Sequence, residues 1–194
     1  MHMCERLLAL TVLLAVVGAG CQKPVVTTPA TAVGTNAPAS TNAEAPRDPN
    51  QLYLDHAQPK LRTIRLWIGA KEMTAEIAAT VTEISTGMMF RKEIGENEGM
   101  LFVFGRPHQA AFYMRNTVVP LSAAYIDPNG AILEVRELKP LDETPVTAKS
   151  DQVQFVLETR LGWFETNGIA PGTIIRTEQG TLAETFFKRA PAGR

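Results

Sequence analysis

Short apolar runs separated by turn residues constrain the fold of this chain more than any other sequence feature. In residues 63–69 and 73–81 apolar side chains recur at every second position, which is typical of strands that bury one face. Asp-Pro-Asn-Gly at 127–130 is a strong turn signal before the alternating run 131–138. Most connections between runs are too short for parallel crossovers. The pattern therefore predicts an α+β, mainly β domain, with a small, largely antiparallel, barrel-like sheet of about eight short strands and two short helices.

The remaining runs extend this series. Residues 121–126 are predicted to form a hairpin with the run that follows the turn. Residues 99–105 form a continuous apolar run, which is typical of a fully buried strand. Further strands are predicted over 110–116, 153–159 and 172–178, and the two helices within 84–94 and 160–168.

A polar triplet, Arg115-Asn116-Thr117, ends the strand predicted at 110–116. A buried Asn must satisfy one carbonyl oxygen and two amide hydrogens, so the triplet needs either backbone partners or ligand partners. One interpretation is that Asn116 and Thr117 bond the backbone where the strand ends. The other is that Arg115 and Asn116 line a cleft and bind an anionic or carbonyl-bearing ligand.

The beginning of the chain resembles a bacterial lipoprotein signal. A short head with Arg6 precedes an apolar run over residues 7–19, shorter than the stretch of about 20 residues that spans a bilayer. Small residues and Cys21 follow this run. Residues 1–20 are therefore predicted to be a lipoprotein-type signal peptide, and Cys21 the lipidated residue. Ordinary signal-peptidase cleavage and an uncleaved anchor are the alternatives.

Composition then divides the rest of the chain into a tether and a domain. Residues 22–50 are rich in Pro, Ala, Thr and Asn and show no apolar periodicity, so residues 21–50 are predicted to be the lipidated cysteine and a disordered tether. Residues 51–194 are predicted to be a single globular domain. Because the only cysteines are Cys4 and Cys21, this domain has no disulfide and no thiolate metal ligand.

Three blocks of the globular part carry a family resemblance. They read RKEIGENEGMLFVF at 91–104, FYMRNTVVPLSAAYIDPNGAI at 112–132 and FVLETRLGWFETNGIAPGTII at 155–175. In order and spacing they resemble the motif blocks of the bacterial and archaeal family called domain of unknown function 192. That family has no established activity, so the resemblance implies a fold but no reaction. It places the family's marked polar positions on the candidate binding residues Arg91, Arg115, Asn116, Thr117 and Glu158.

Glu158 is the acidic candidate of this set. It follows Val156 at strand spacing, so it is expected on a partly apolar face, where it could pair with Arg91 or Arg115. Such a pair is either a structural clip or part of a binding site. In two further positions, Ser122 and Thr173, the chain departs from the family, which often has Asp there.

Composition and spacing exclude several function classes. The formal net charge is -1, and no basic block or aromatic-interleaved basic stripe is present, so nucleic acid is not an expected partner. No His pair has ligand spacing and no Ser-His-acid arrangement is visible. No metal and no cofactor are therefore predicted.

Three functions remain open. The first is an exported, membrane-anchored lipoprotein that faces the periplasm or cell surface, contacts membrane lipid through Cys21, and binds a small molecule or an envelope protein. The second is an enzyme acting on an envelope substrate, with Glu158 as acid or base and Arg115 with Asn116 as anion contacts. The third is a purely structural envelope protein. The sequence carries no prediction of oligomeric state.

Overall fold

A computed structural model describes residues 51–188 of the chain. The mainly β prediction is confirmed, although three helices are present rather than two. The helices are α1 (Val81–Thr86), α2 (Trp163–Thr166) and α3 (Leu182–Phe187). The strands are β1 (Thr63–Ile68), β2 (Lys71–Ala78), β3 (Glu98–His108), β4 (Ala111–Phe112), β5 (Leu121–Ile126), β6 (Ile132–Leu138), β7 (Val146–Thr147), β8 (Val153–Arg160), β9 (Ile175–Thr177) and β10 (Gly180–Thr181).

The predicted signal peptide at 1–20, Cys21 and the predicted tether up to residue 50 lie outside the described residues, as do residues 189–194. Within residues 51–188, no helix has both the length and the apolar character needed to cross a bilayer. The export and lipidation predictions therefore stay predictions.

One mixed sheet of eight strands has the order β10-β9-β1-β2-β3-β8-β5-β6, and β4 and β7 form a separate pair. β2 and β3 run parallel, whereas the other neighbours in the large sheet are antiparallel. The prediction of a largely antiparallel sheet is therefore only partly right. Residues 79–97, which include α1, supply the length that a parallel crossover needs.

The sheet is not closed, so the barrel-like prediction is wrong. β10 and β6 stand at the two ends of the strand order, and no ladder joins them in the described part of the chain. Near these ends the link consists of the isolated bridge from Ala131 to Ile174 and the backbone hydrogen bonds between residues 130–132 and 172–175. β6 carries Glu134, Arg136 and Glu137. Charged side chains along an edge strand discourage further pairing.

The central strands are buried on both faces. Every residue of β5 is buried, and so are residues 153–159 of β8. On the first face, Phe155 and Leu157 join a hydrophobic cluster that includes residues of α2 and α3. On the second face, Tyr125 and Val156 join another cluster, which includes residues from the segments around 88 and 114. Glu158 has the same parity along β8 as Val156, and it belongs to this second face.

The third helix begins with a capping box that the sequence prediction overlooked. The Thr181 hydroxyl accepts from the Glu184 backbone N–H, and the Glu184 carboxylate accepts from the Thr181 backbone N–H. The same arrangement links Thr80 and Glu83 at the start of α1. A Thr-x-x-Glu pattern ahead of an apolar run is the sequence signal for both helices.

The polar triplet lies in a turn, so the strand predicted at 110–116 is wrong beyond Phe112. Asn116 has a φ of 53°, in the left-handed region that Asn adopts more readily than most residues. The Thr117 backbone N–H donates to the Met114 carbonyl, and the Thr117 hydroxyl donates to the Arg115 carbonyl, each at 3.1 Å. For Thr117, these contacts agree with the interpretation in which the triplet bonds the local backbone.

Candidate ligand-binding site

A cavity of about 220 Å³, here called the Glu158 cavity, lies on the second face of the sheet. β3, β5 and β8 form its floor, residues 84–89 its first wall and residues 108–117 its second wall. Most of the lining is apolar, with a few hydroxyl groups, the His108 imidazole and one carboxyl group. The lining residues are Ile84, Ser85, Thr86, Gly87, Met88, Met89, Phe102, Phe104, His108, Ala110, Ala111, Phe112, Tyr113, Met114, Thr117, Leu121 and Glu158.

Residues that precede β1 hold the first wall in place. The Gln58 side-chain amide donates to the Gly87 carbonyl at 2.8 Å, and the Leu54 backbone N–H donates to the Thr86 hydroxyl at 3.0 Å. Gly87 has a φ of 47°, and a Cβ there would lie 3.2 Å from the Phe102 ring. Glycine at this position therefore allows the wall to approach the floor.

Backbone hydrogen bonds hold the second wall. The Met114 N–H donates to the Asp142 carbonyl at 2.8 Å. The Phe90 N–H donates to the Asn116 carbonyl at 2.7 Å, and this bond joins the end of the first wall to the second. The polar triplet thus contributes to the cavity mainly by shaping its wall.

A buried tyrosine ties the second wall to the sheet. β4, within that wall, pairs with β7. The Tyr125 hydroxyl, on β5, donates to the Val146 carbonyl of β7 at 2.7 Å. Aromatic rings continue this link, since the Phe112 ring packs edge-on against Phe102 at a centroid distance of 4.9 Å and against Tyr125 at 6.1 Å.

Glu158 supplies the carboxyl group at the floor of the cavity. It lies in β8 opposite Met100 of β3 and Ala123 of β5, and it is only 4% exposed. Among residues 51–188, no side chain or backbone group forms a hydrogen bond or ion pair with its carboxyl group. A buried carboxyl group without a protein partner is rare, because buried polar groups normally have one.

Burial raises the pKa of Glu158 to about 8, because removal from water disfavours the charged form. The neighbouring Tyr125 hydroxyl does not offset this effect, since it donates to Val146 instead. At pH 7 the free protein therefore holds Glu158 mainly as the neutral acid, which offers one hydrogen-bond donor and further acceptor positions.

Arg91 is held away from the Glu158 cavity by another carboxylate. Its two terminal nitrogens each donate to one oxygen of Glu76 at 2.9 Å, which is the bidentate geometry of a strong ion pair. Arg91 lines a separate cavity of only about 30 Å³.

Arg115 points to the surface. Its side chain is 40% exposed and lies 2.7 Å from the Glu143 carboxylate. Its guanidinium also stacks near the Tyr53 and Tyr113 rings, at 5.9 Å and 5.3 Å from their centroids. Neither Arg115 nor Asn116 lines the Glu158 cavity.

The predicted pairing of Glu158 with Arg91 or Arg115 is therefore wrong, because each arginine has a different carboxylate partner. Of the five candidate residues, the cavity brings together only Thr117 and Glu158. The arrangement expected for an enzyme, with Arg115 and Asn116 as anion contacts beside Glu158, is not assembled. Ser122 lies elsewhere too, since its hydroxyl accepts from the Gly162 N–H at 2.9 Å.

The sequence prediction missed the walls of the site. Met88 and Met114 are apolar residues in irregular segments, and Phe112 ends the short strand β4. Nothing local distinguishes these residues from ordinary core residues. The one available signal was Glu158 itself, an acid within the otherwise apolar run of β8.

Replacement of Glu158 with Gln should remove a pH-dependent loss of stability. The folded-state pKa of about 8 lies above the ordinary value of 4.5, so the folded protein holds this proton more tightly than the unfolded chain does. The stabilising contribution is present below about pH 4.5 and is lost as the pH rises towards 8, by at most about 1.4 kcal/mol per pH unit. Urea unfolding at several pH values should show that the free energy of unfolding of Glu158→Gln increases relative to that of the wild type as the pH rises.

Glu96→Gln is the matched control, because Glu96 is exposed. This control should follow the wild-type stability curve at every pH. Parallel curves for wild type and Glu158→Gln between about pH 5 and pH 8 would contradict the account of Glu158 as a buried, unpartnered acid.

Comparisons with known proteins give a family but no activity. The profile of the DUF192 family, described as Uncharacterized ACR, matches residues 64–177. A crystal structure of a protein of unknown function from Novosphingobium aromaticivorans DSM 12444 is 32% identical, with a TM-score of 0.56 over 60% of this chain and 86% of that chain. A candidate transcription regulator from Sinorhizobium meliloti 1021 is 25% identical, with a TM-score of 0.59 over 62% of this chain and 98% of that chain. No curated protein matches. Because the profile covers more than half of the chain, the protein belongs to the family called domain of unknown function 192.

Proposed function

We propose that this protein is a binding module that takes a small organic molecule into the Glu158 cavity. The observation that carries the proposal is a buried carboxyl group, without a protein partner, at the floor of a mostly apolar cavity. Leaving such a group unsatisfied costs about 1–3 kcal/mol. A ligand that bonds to Glu158 recovers this free energy, whereas a purely structural role gives no reason to keep the group there.

The cavity also limits the size of the ligand. Its volume of about 220 Å³ is below the range of about 300–1,000 Å³ that is usual for drug-sized molecules. A mainly apolar lining with a few polar groups is the usual composition of a small-molecule site. The ligand is therefore a molecule with a compact apolar body and one polar group that reaches Glu158.

Two other functions receive less support. An enzyme with Arg115 and Asn116 as anion contacts beside Glu158 is less supported, because neither residue lines the cavity. The description of the Sinorhizobium meliloti protein as a candidate transcription regulator is not carried over to this chain. Its formal net charge of -1 and the absence of a basic stripe in its sequence speak against nucleic acid as a partner.

The proposal includes an exported, membrane-anchored location. It is supported by the signal-like residues 1–20, which end at Cys21, and by the Pro- and Thr-rich residues that follow. Lipid on Cys21 and a flexible spacer would hold the binding module near the membrane on the periplasmic or outer side. There it would meet a small molecule or an envelope partner.

Ala111→Trp should block the cavity. Ala111 lies exposed in the second wall, and a large indole at this position would occupy the space that a ligand needs. A mixture of small aromatic amines, alcohols and carboxylates, screened by chemical-shift mapping, should perturb cavity-lining residues in the wild type. Ala111→Trp should weaken binding of any such compound by about tenfold or more, the loss expected when a good apolar contact surface is removed.

Val118→Trp is the control for this experiment. Val118 is exposed and does not line the cavity, so the same new side chain should leave binding unchanged. The proposal fails if none of the compounds binds at the cavity, or if Ala111→Trp binds them as well as Val118→Trp does.

Replacement of each of the two cysteines tests the lipid anchor. Cys21→Ser should abolish incorporation of a labelled fatty acid and shift the protein out of the membrane fraction, because only a thiol at the cleavage site receives the lipid. Cys4→Ser should retain both the label and the membrane association. Labelling of Cys21→Ser to the wild-type level would refute lipidation at this residue.

A further inference from the structure

We propose that the ligand of the Glu158 cavity is a small organic cation, a protonated amine with an apolar body, which binds Glu158 in its carboxylate form. This inference rests on the proposed function and specifies its ligand class. On binding, the Glu158 proton leaves to solvent, and the ammonium group donates hydrogen bonds to the carboxylate. The apolar body of the ligand then lies against the Met and Phe side chains of the walls.

The charge of the cavity lining favours a cationic ligand. No Lys or Arg is present among the described residues that line the cavity. Arg91 and Arg115, the two candidate arginines, are bound to Glu76 and Glu143 instead. An anionic ligand would therefore meet a carboxyl group with no Lys or Arg in the lining to compensate it, whereas a cation supplies the missing partner of Glu158.

The hydrogen-bonding capacity of Thr117 and Glu158 also favours a cation. The Thr117 hydroxyl already donates its proton to the Arg115 carbonyl at 3.1 Å, so it offers the cavity only acceptor lone pairs. Glu158 as a carboxylate also offers only acceptors. An ammonium group, which carries donors and no acceptor, is complementary to both.

The apolar walls of the cavity are also of a kind that attracts cations. Four benzene rings line the cavity, together with three thioether side chains. Aromatic faces attract cations, and thioethers are polarisable. These residues are Phe102, Phe104, Phe112, Tyr113, Met88, Met89 and Met114.

Binding of a cation to Glu158 should be accompanied by a measurable release of its proton. Glu158 has a raised pKa of about 8 in the free protein, so a cation that binds at pH 7 must displace the proton. The other titratable groups on this side are Tyr125, Glu134 and Arg136 on the neighbouring strands, and Tyr113 and His108 in the cavity lining. The pKa of Tyr125 is raised mainly by burial and further by Glu158 and Glu134, whereas Arg136 opposes this effect. Tyr125 stays neutral through this pH range, and variants of His108 separate its contribution from that of Glu158.

The test uses three isosteric compounds, benzylamine, benzyl alcohol and benzoate, with the full chain. Near pH 8, benzylamine should bind at least about tenfold tighter than benzyl alcohol, because a hydrogen-bonded ion pair is stronger than a neutral hydrogen bond. Benzoate should bind most weakly. Calorimetry in buffers of different ionisation enthalpy should show release of about one proton per benzylamine at pH 7, and affinity should rise about tenfold from pH 6 to pH 7.

Variants test whether the proton release and the pH dependence of affinity come from Glu158. Glu158→Gln should lose about tenfold or more in benzylamine affinity and all proton release, while benzyl alcohol affinity changes by less than about threefold. Glu96→Gln, an exposed control, should behave as the wild type, and His108→Gln should retain the pH dependence.

The outcomes separate this inference from the proposed function. If benzyl alcohol binds best, and its affinity falls as the pH rises towards 8, then the ligand is neutral and the inference is overturned while the binding function stands. If benzoate binds best, the inference is likewise overturned. Loss of the pH dependence in His108→Gln would overturn the role of Glu158. If no compound binds the cavity, the proposed function itself fails.

Discussion

Burial of β5 and β8 on both faces is the constraint on which the rest of the structure depends. Strands covered on both sides require two hydrophobic clusters, and these are built from opposite faces of the same sheet. The second cluster is covered mainly by irregular segments, which meet through the bond from the Phe90 N–H to the Asn116 carbonyl. A cavity remains beneath these segments, and Glu158 lies at its floor.

The two Arg-carboxylate pairs explain why Glu158 stays unpartnered. Glu76 binds Arg91 through both oxygens, and Glu143 holds Arg115 at the surface. Each arginine therefore has a carboxylate partner other than Glu158, although the buried Arg91 Nε has no hydrogen-bond partner. A carboxyl group left alone in an apolar setting becomes a weaker acid. Under the proposed function, its ionisation would depend on the charge of the ligand, because the positive charges of Arg91 and Arg115 are held by other carboxylates.

Much of the fold was predictable from the sequence, because alternation and turn residues act locally. The hairpin of β5 and β6 around residues 127–130 is an example. The parallel pairing of β2 with β3 was not predictable in the same way, since it depends on a crossover rather than on a turn. The strand predicted at 110–116 extended too far, because Asn116 adopts a left-handed conformation that is incompatible with a strand. For the site, the sequence indicated Glu158 and Thr117 but not their surroundings, because the partners of Arg91 and Arg115 are set by tertiary contacts.

The most direct test of this account is a ¹³C NMR titration of the Glu158 side-chain carboxyl carbon in the free protein. The signal is assigned by its absence from Glu158→Gln. The account predicts a titration midpoint of about 8, as expected for a buried carboxyl group without a protein partner. A midpoint near the ordinary value of 4.5 would show that Glu158 is solvated or paired in solution. That result would contradict the account of the cavity as a ligand-binding site in which Glu158 is the unpartnered polar group.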